Sequence, residues 1–426
     1  MSDFINGLLV AQGGPDWLAA RREAGRALWS ASQKPTRKTE AWKYTSLHKL
    51  EREFVVAEPD AGIAGELPDF GGQRLVFVDG HLQGSVNEID LPEGVSLVRF
   101  ADASASQAER IQARLGTAVR NDQHLFANLN DATLADGLYL ELVPNAVLAD
   151  PLHIVHLTTG REPAFTVNQR LLVAVGDNAS ATVIEHFEGE SPAAFTNGIT
   201  ELLLEPGARL QHCRLQLEQG GAMHIGGVHA LLERDSLLDS FHLALGSDLK
   251  RIDLAVEYAG PGAHCDLNGI YLLRGSEHVD YHSCIEHAVP HCTTDEVFRG
   301  IIGDEARAVF NGRIHIHPDA QKTRAELSNK NLLTSASAEI NTKPELEIYA
   351  DDVQCAHGAT VAQLDEGMMH YLRTRGVGRD EAEVMLSYGF INELVDALDN
   401  EALKNFLHPL LARRLSRDPL LTRHLV

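Results

Sequence analysis

The densest run of chemistry-bearing side chains is Glu277-His278-Val279-Asp280-Tyr281-His282-Ser283-Cys284-Ile285-Glu286-His287, followed by His291-Cys292. On a strand, side chains alternate between faces, so His278, Asp280, His282, Cys284 and Glu286 share one face. These are zinc-compatible ligand types. Neighbours along one strand form a row rather than a tetrahedron, and no Cys-x-x-Cys or His-Glu-x-x-His motif accompanies them. The run therefore reads as a solvated outer face, with a metal-dependent enzyme using residues 278–292 as the alternative. His315-Ile316-His317 puts two imidazoles on one face and reads as surface or inter-subunit contact. His212-Cys213 and His264-Cys265 place the two residue types on opposite faces, so neither is a dyad by itself. Cys213 and Cys265 read as small buried residues. His224 and His229 carry no partner signature. Cys355-Ala356-His357-Gly358 is different: Cys355 and His357 share a face, an imidazolium lowers a neighbouring thiol's pKa, and both are ligands for iron.

The elements that must position these residues follow from periodicity. Between about Asp136 and Thr360 helical spacing disappears, and short strands such as Leu171-Leu172-Val173-Ala174-Val175 and Leu254-Ala255-Val256-Glu257-Tyr258 take over. Turn residues punctuate them: Pro144-Asn145, Gly176-Asp177-Asn178, Pro206-Gly207, Arg234-Asp235, Gly260-Pro261-Gly262 and Gly303-Asp304. These marks recur roughly every 25–30 residues, which signals a repeat architecture. A sandwich would turn every 8–12 residues, so a parallel β-helix with two or three strands per coil fits better. The expectation is a mainly β chain: a mixed helical and α/β cap over 1–135, a β-helix over 136–364 and a helical domain over 365–426. In the first part Trp17 to Leu28 reads as a helix starting at Pro15-Asp16, and a second helix is expected from about Ser104 to Leu129. In the last part Asp380 is expected to cap a helix to about Leu398, and a second segment runs from Leu403 to Leu415. The basic residues Arg413, Arg414, Arg417 and Arg423 suit helix C-termini. A coil of this kind is expected to have its terminal rungs covered.

Composition narrows the function. The chain has 426 residues, 37 Lys+Arg against 60 Asp+Glu, and a net charge of −23. That balance argues against nucleic acid or an anionic membrane surface as partner. No apolar run reaches about 20 residues, so no membrane span is expected. Met1-Ser2-Asp3-Phe4 lacks a secretory pattern, and the five cysteines read as reduced thiols in the cytoplasm. Most of the 21 histidines read as surface. No Walker A motif, Gly-x-Ser-x-Gly elbow or Gly-x-Gly-x-x-Gly turn is present. A carbohydrate-active β-helix using Asp319, Lys322 and Glu326 is a weaker alternative, because an acidic solenoid surface supplies such residues everywhere.

Several long blocks carry a resemblance. They are Glu326-Leu327-Ser328-Asn329-Lys330-Asn331-Leu332-Leu333-Thr334-Ser335, Ala338 through Ile348, Asp351 through Val361, and Tyr371-Leu372-Arg373-Thr374-Arg375-Gly376-Val377. With Glu40-Ala41-Trp42-Lys43-Tyr44-Thr45 and Phe390-Ile391-Asn392-Glu393-Leu394, they closely resemble the SufB/SufD family of iron–sulfur cluster assembly proteins. The Cys-x-His-Gly-Ala block, the amino-terminal tryptophan block and the lack of a cysteine-rich amino-terminal motif resemble the SufD branch. The resemblance implies a right-handed parallel β-helix and a non-catalytic scaffold. It implies pairing with SufB through the last β-helix strands, self-pairing when SufB is absent, and docking of the ATPase SufC on the carboxy-terminal helices. Cys355 and His357 match the family's interface positions, and His357 matches its candidate cluster ligand, holding iron or a cluster transiently with no tightly bound cofactor. The helical face carrying Tyr388, Phe390, Ile391 and Leu394 is the expected SufC surface.

Overall fold

The computed structural model describes residues 6–10, 13–59, 66–189, 191 and 194–416. Met1–Phe4, Arg417 and Arg423 lie outside them. From Leu138–Leu142 to Gln354–Gln363, successive strands alternate between two parallel sheets of a β-solenoid. Sheet I includes His278–His287, Arg307–Ile316 and Glu339–Ile348; sheet II includes His264–Leu273, Thr293–Ile302, Arg324–Leu333 and Gln354–Gln363. Each coil thus uses two strands. Register partners in the later part of sheet II lie 27 to 31 residues apart, building about eight coils.

The turn residues earn their places at the corners. Asn145, Asn178, Gly207, Asp235 and Gly262 all have positive φ, between 54° and 80°. Asn, Asp and Gly tolerate that conformation better than branched residues do. The corners stack: the Asn178 amide donates to the Pro206 carbonyl (3.0 Å), Gly207 to Arg234 (2.8 Å) and Asp235 to Pro261 (3.0 Å). Between corners, inward positions alternate with outward ones, and one apolar cluster extends from Leu75 to Ala350 through the solenoid.

The amino-terminal strands join the sheets. Gln73–Val78 runs parallel to Leu152–Thr158 and turns back through Asp79-Gly80 as an antiparallel hairpin to His81–Gln83. Val95–Arg99 closes the same end of sheet I, antiparallel to Leu138–Leu142. Helices α1 (Ala19–Ala31), α2 (Ala105–Arg114) and α3 (Leu125–Ala132) belong to this part. The single helix expected from Ser104 to Leu129 is two. Ser104 and Gln107 form a capping box for α2, and the chain leaves the helix before Gly116, whose φ is 84°.

Helices α4 (Glu366–Thr374), α5 (Arg379–Asp396) and α6 (Glu401–Leu415) follow the last strand. Asp365 caps α4 by accepting from the Gly367 and Met368 amides. The N-cap of α5 is Gly378, so Asp380 is a first-turn residue facing the helix dipole rather than the cap. Helices α5 and α6 do not cover the terminal rung. They fold back over the outer face of sheet II, where Ile391, Leu394, Leu403 and Leu407 pack with Ile184, Phe241, Ile270 and Ile301. Arg299 donates to the Phe390 carbonyl (2.7 Å), and Arg414 pairs with Glu277 across the same contact. Ile391→Ala is expected to cost about 2–5 kcal/mol in urea unfolding because it empties a packed site. The exposed Met385→Ala should change stability by less than about 0.5 kcal/mol.

Candidate functional site

The last coil leaves two strand edges open. Glu339–Ile348 pairs only with Arg307–Ile316, and Gln354–Gln363 only with Arg324–Leu333; each ends its sheet among the described residues. The other side of each ten-residue strand has no ladder partner among the described residues. Every residue of Gln354–Gln363 except Cys355 is exposed. Apolar side chains accompany the edges, with Ile348 41%, Tyr349 62% and Val361 50% exposed. An open, flat, partly apolar edge of this length is a template for pairing with another chain.

Cys355 and His357 sit on this strand. Cys355 is in register with Ala325 and His357 with Leu327, both core residues, so the pair shares the inward face of the terminal coil. Cys355 packs half-buried against the apolar core, whereas His357 is exposed at its mouth. The thiol is not activated as its spacing from His357 suggested. Burial raises its pKa, only partly offset by a backbone hydrogen bond from Ala325. In the free chain it is a neutral thiol near neutral pH, and the His357 imidazole is the exposed member of the pair.

Below that mouth, part of the interior is polar. Thr342 donates to Asn329 (2.8 Å), Asn331 to Asn329 (2.6 Å), and Asn329 to the Tyr271 hydroxyl (3.0 Å). Glu296 lies two coils beneath His357 in the same inward column, with Leu327 between them. It accepts from Ser283 (2.5 Å), and burial pushes its pKa up to about 7. Farther in, Glu185 accepts from His212 (2.9 Å), Arg214 (3.0 Å) and Thr200 (2.8 Å). Burial alone would raise the Glu185 pKa, but Arg214 and these hydrogen bonds hold it well below the carboxylate range. Ser240 bridges His212 and His242, each at 2.9 Å. Of the 20 described histidines eight are buried, among them His212, His224, His242 and His287, and only four are exposed, which corrects the expectation that most are surface.

A family model described as "SUF system FeS cluster assembly, SufBD core domain" matches residues 156–390, and one for the SufBD amino-terminal region matches residues 6–154. The chain belongs to the SufBD family. It is 32% identical over 393 residues to the iron–sulfur cluster assembly protein SufD of Escherichia coli, covering 89% of each chain. It is 30% identical over 406 residues to a SufBD family protein of Synechocystis sp., covering 92% of this chain and 89% of that one. The chloroplastic protein ABCI7 of Arabidopsis thaliana is 24% identical, with 87% and 80% covered.

The SufBD sequence blocks have physical roles here. In Glu40–Thr45, Trp42 is buried with the Arg251 guanidinium 4.7 Å from its ring, and Arg251 donates to the Ala41 carbonyl (2.7 Å). Thr45 contacts His278 and Asp280, so this segment is fastened to the outer face of sheet I. Asn329 and Asn331 supply the polar interior just below the mouth. The run from His278 to Glu286 does share one outer face, but it is not a solvated row. Asp280 pairs with Arg251 (2.9 Å) and His282 (3.0 Å), and Glu286 pairs with Arg313 (2.9 Å). Burial raises the Cys284 pKa to about 11. Cys213 and Cys265 are buried small residues, as read. Lys322 pairs with Asp352, and Glu326 with Arg324 (3.3 Å). The expected SufC face is largely spent inside this SufBD chain: Ile391 and Leu394 are buried against sheet II. Tyr388 is half-buried on His408, and Phe390 is half-buried with Arg299 near its ring.

Glu296 generates a pH signature with a definite sign. Its folded pKa of about 7 lies above the ordinary 4.5, so the folded state holds a proton that the unfolded state has lost between those values. Its contribution is present below pH 4.5 and declines as pH rises to about 7, by on the order of 3 kcal/mol. Glu296→Gln should therefore lose less stability than the wild type between pH 5 and 8 in denaturant titrations.

Proposed function

We propose that this chain is a non-catalytic scaffold subunit of a SUF iron–sulfur cluster assembly complex in the cytoplasm. It pairs with SufB through the open strands of its last coil and carries the ATPase SufC on its carboxy-terminal helices. The observation behind this reading is the pair of unpaired ten-residue edges, Glu339–Ile348 and Gln354–Gln363, with Cys355 and His357 on the second. Edge-to-edge addition continues both sheets across the boundary and satisfies backbone groups on both partners. Iron or a nascent cluster is the cargo, held transiently between the chains with His357 as this chain's accessible ligand. Pairing would change the surroundings of the half-buried Cys355 and offer a route to a second ligand. When SufB is absent, the same edges would accept a second copy of this chain.

SufC docking is assigned away from Ile391 and Leu394. The exposed apolar side chains of the neighbouring helices are Met368 (48%) and Tyr371 (52%) on α4 and Met385 (37%) on α5. ATP-driven movement of SufC there would reach the paired edge through the short link from Gln363 to Asp365. The metal-enzyme alternative built on residues 278–292 alone fares worse, because those side chains do not converge on one another: Asp280 turns to Arg251, and Glu286 to Arg313 and to histidines of the next strand.

Three outcomes follow for the reconstituted complex. His357→Ala should assemble little cluster while still co-purifying SufB and SufC; wild-type cluster yield would remove His357 from the mechanism. Val361→Asp places a charge at the open edge and should weaken SufB recovery by about tenfold or more, equivalent to roughly 1.4 kcal/mol. Met368→Ala combined with Tyr371→Ala should lose SufC and keep SufB in the same pull-down.

A further inference from the structure

A second ligand set lies on the outer face of sheet I, away from the inward pair Cys355 and His357. Glu286 and His315 are register partners on adjacent strands, and His317 follows the second strand. His315 Nδ1 lies 2.7 Å from Glu286 Oε2, and His317 Nε2 lies 2.8 Å from the same oxygen. All three ligand atoms fall within 4.8 Å of one another. We propose that Glu286, His315 and His317 form a binding site for a divalent first-row metal ion.

The surroundings prepare this geometry. The second oxygen of Glu286 is held by Arg313 Nη1 at 2.9 Å, which leaves Oε2 aimed at the two rings. Arg313 is in turn clamped by Glu347 through two bonds of 2.8 and 2.9 Å. Two carboxylates against one guanidinium leave the cluster with net negative charge, which suits a cation. The exposure is graded: the Glu286 side chain is 7% exposed, His315 19% and His317 38%. A metal can therefore enter past His317 and keep water on its open side. Two imidazoles and one carboxylate with open positions form the donor set of facial iron(II) sites and of three-ligand zinc sites. Each imidazole would present a lone pair where it now presents a proton, keeping its proton on the other ring nitrogen. The tie from Arg313 and Glu347 supplies the outer-shell orientation such ligands need. Cys284, bonded by Arg313 at 3.2 Å, is a neighbour outside the converging set.

The other converging group, His264, Asp266 and Asp295, is a useful control. There Arg324 already occupies Asp295 with two hydrogen bonds.

The test uses the full chain, stripped with chelator and titrated separately with Zn²⁺ by calorimetry and with Co²⁺ by visible absorption. The expected result is one site per chain, with affinity reduced at least about tenfold in His317→Ala and in His315→Ala. Asp295→Asn should bind like the wild type. Circular dichroism identifies any variant that has lost its fold, and His317, the most exposed ligand, is the safer substitution. Equal stoichiometry and affinity in wild type and both histidine variants would overturn the proposal, as would the absence of binding to the wild type. Because this site is separate from Cys355 and His357, its failure would leave the scaffold reading intact.

Discussion

Every coil of this molecule is held by the next one through backbone hydrogen bonds, and that requirement has no natural end. A parallel strand satisfies its N–H and C=O groups only when neighbours lie on both sides. At the amino-terminal end each sheet finishes on a short antiparallel strand of three or five residues. Val95–Arg99 and His81–Gln83 reverse direction and end the two sheets. At the carboxy-terminal end the ladder is left open among the described residues. The chain places its last two strands, then spends α5 and α6 on the flank of sheet II instead of on the terminal rung. The described helices thus cover a side face and not the terminal rung, and the proposed pairing rests on that difference.

The interior gives the open end its chemical character. Much of it is an apolar stack, but polar side chains line another part of the same coils. Buried charges there are matched: Glu185 with Arg214 and His212, Glu218 with Lys250 and His224. Such groups are costly to bury unless paired and hydrogen-bonded. Toward the mouth the lining changes from ion pairs to neutral groups, with Tyr271, Asn329, Asn331 and Thr342. Glu296 lies among them as a buried carboxyl hydrogen-bonded to Ser283, and burial pushes its pKa up to about 7. The acidity of the chain belongs largely to its exterior, where Glu286 and Glu347 flank the two histidines of the outer face.

Much of the fold was legible because period-two patterning and turn chemistry agree. Asn145, Asn178, Gly207, Asp235 and Gly262 were readable as corners, and each adopts positive φ. The strands between them, including Leu171–Val175 and Leu254–Tyr258, lie within the observed strands. The fate of the histidines was not legible. His212 and Cys213 alternate faces in either phase, and nothing local states which face is inward. Only the stacking of Glu185, His212 and Ser240 across three coils reveals a buried polar line. Glu286 and His315 are likewise 29 positions apart in sequence and adjacent only through the strand register. The apolar face of α5 was visible from its spacing, but periodicity cannot say whether a helix covers its own sheet or waits for a partner. Cys355 and His357 were found from a sequence block and share a strand face as their spacing required. The thiol's protonation, set by packing against the core, was beyond that spacing.

In the proposed scaffold the terminal rung is completed by another chain. Amide hydrogen exchange across Glu339–Ile348 and Gln354–Gln363 tests it directly, comparing the dilute free protein with its complex with SufB. Fast exchange of the outward-facing amides in the free chain, with strong protection confined to these strands on complex formation, is the predicted result. Unchanged exchange there, with protection appearing elsewhere on the solenoid, would contradict it.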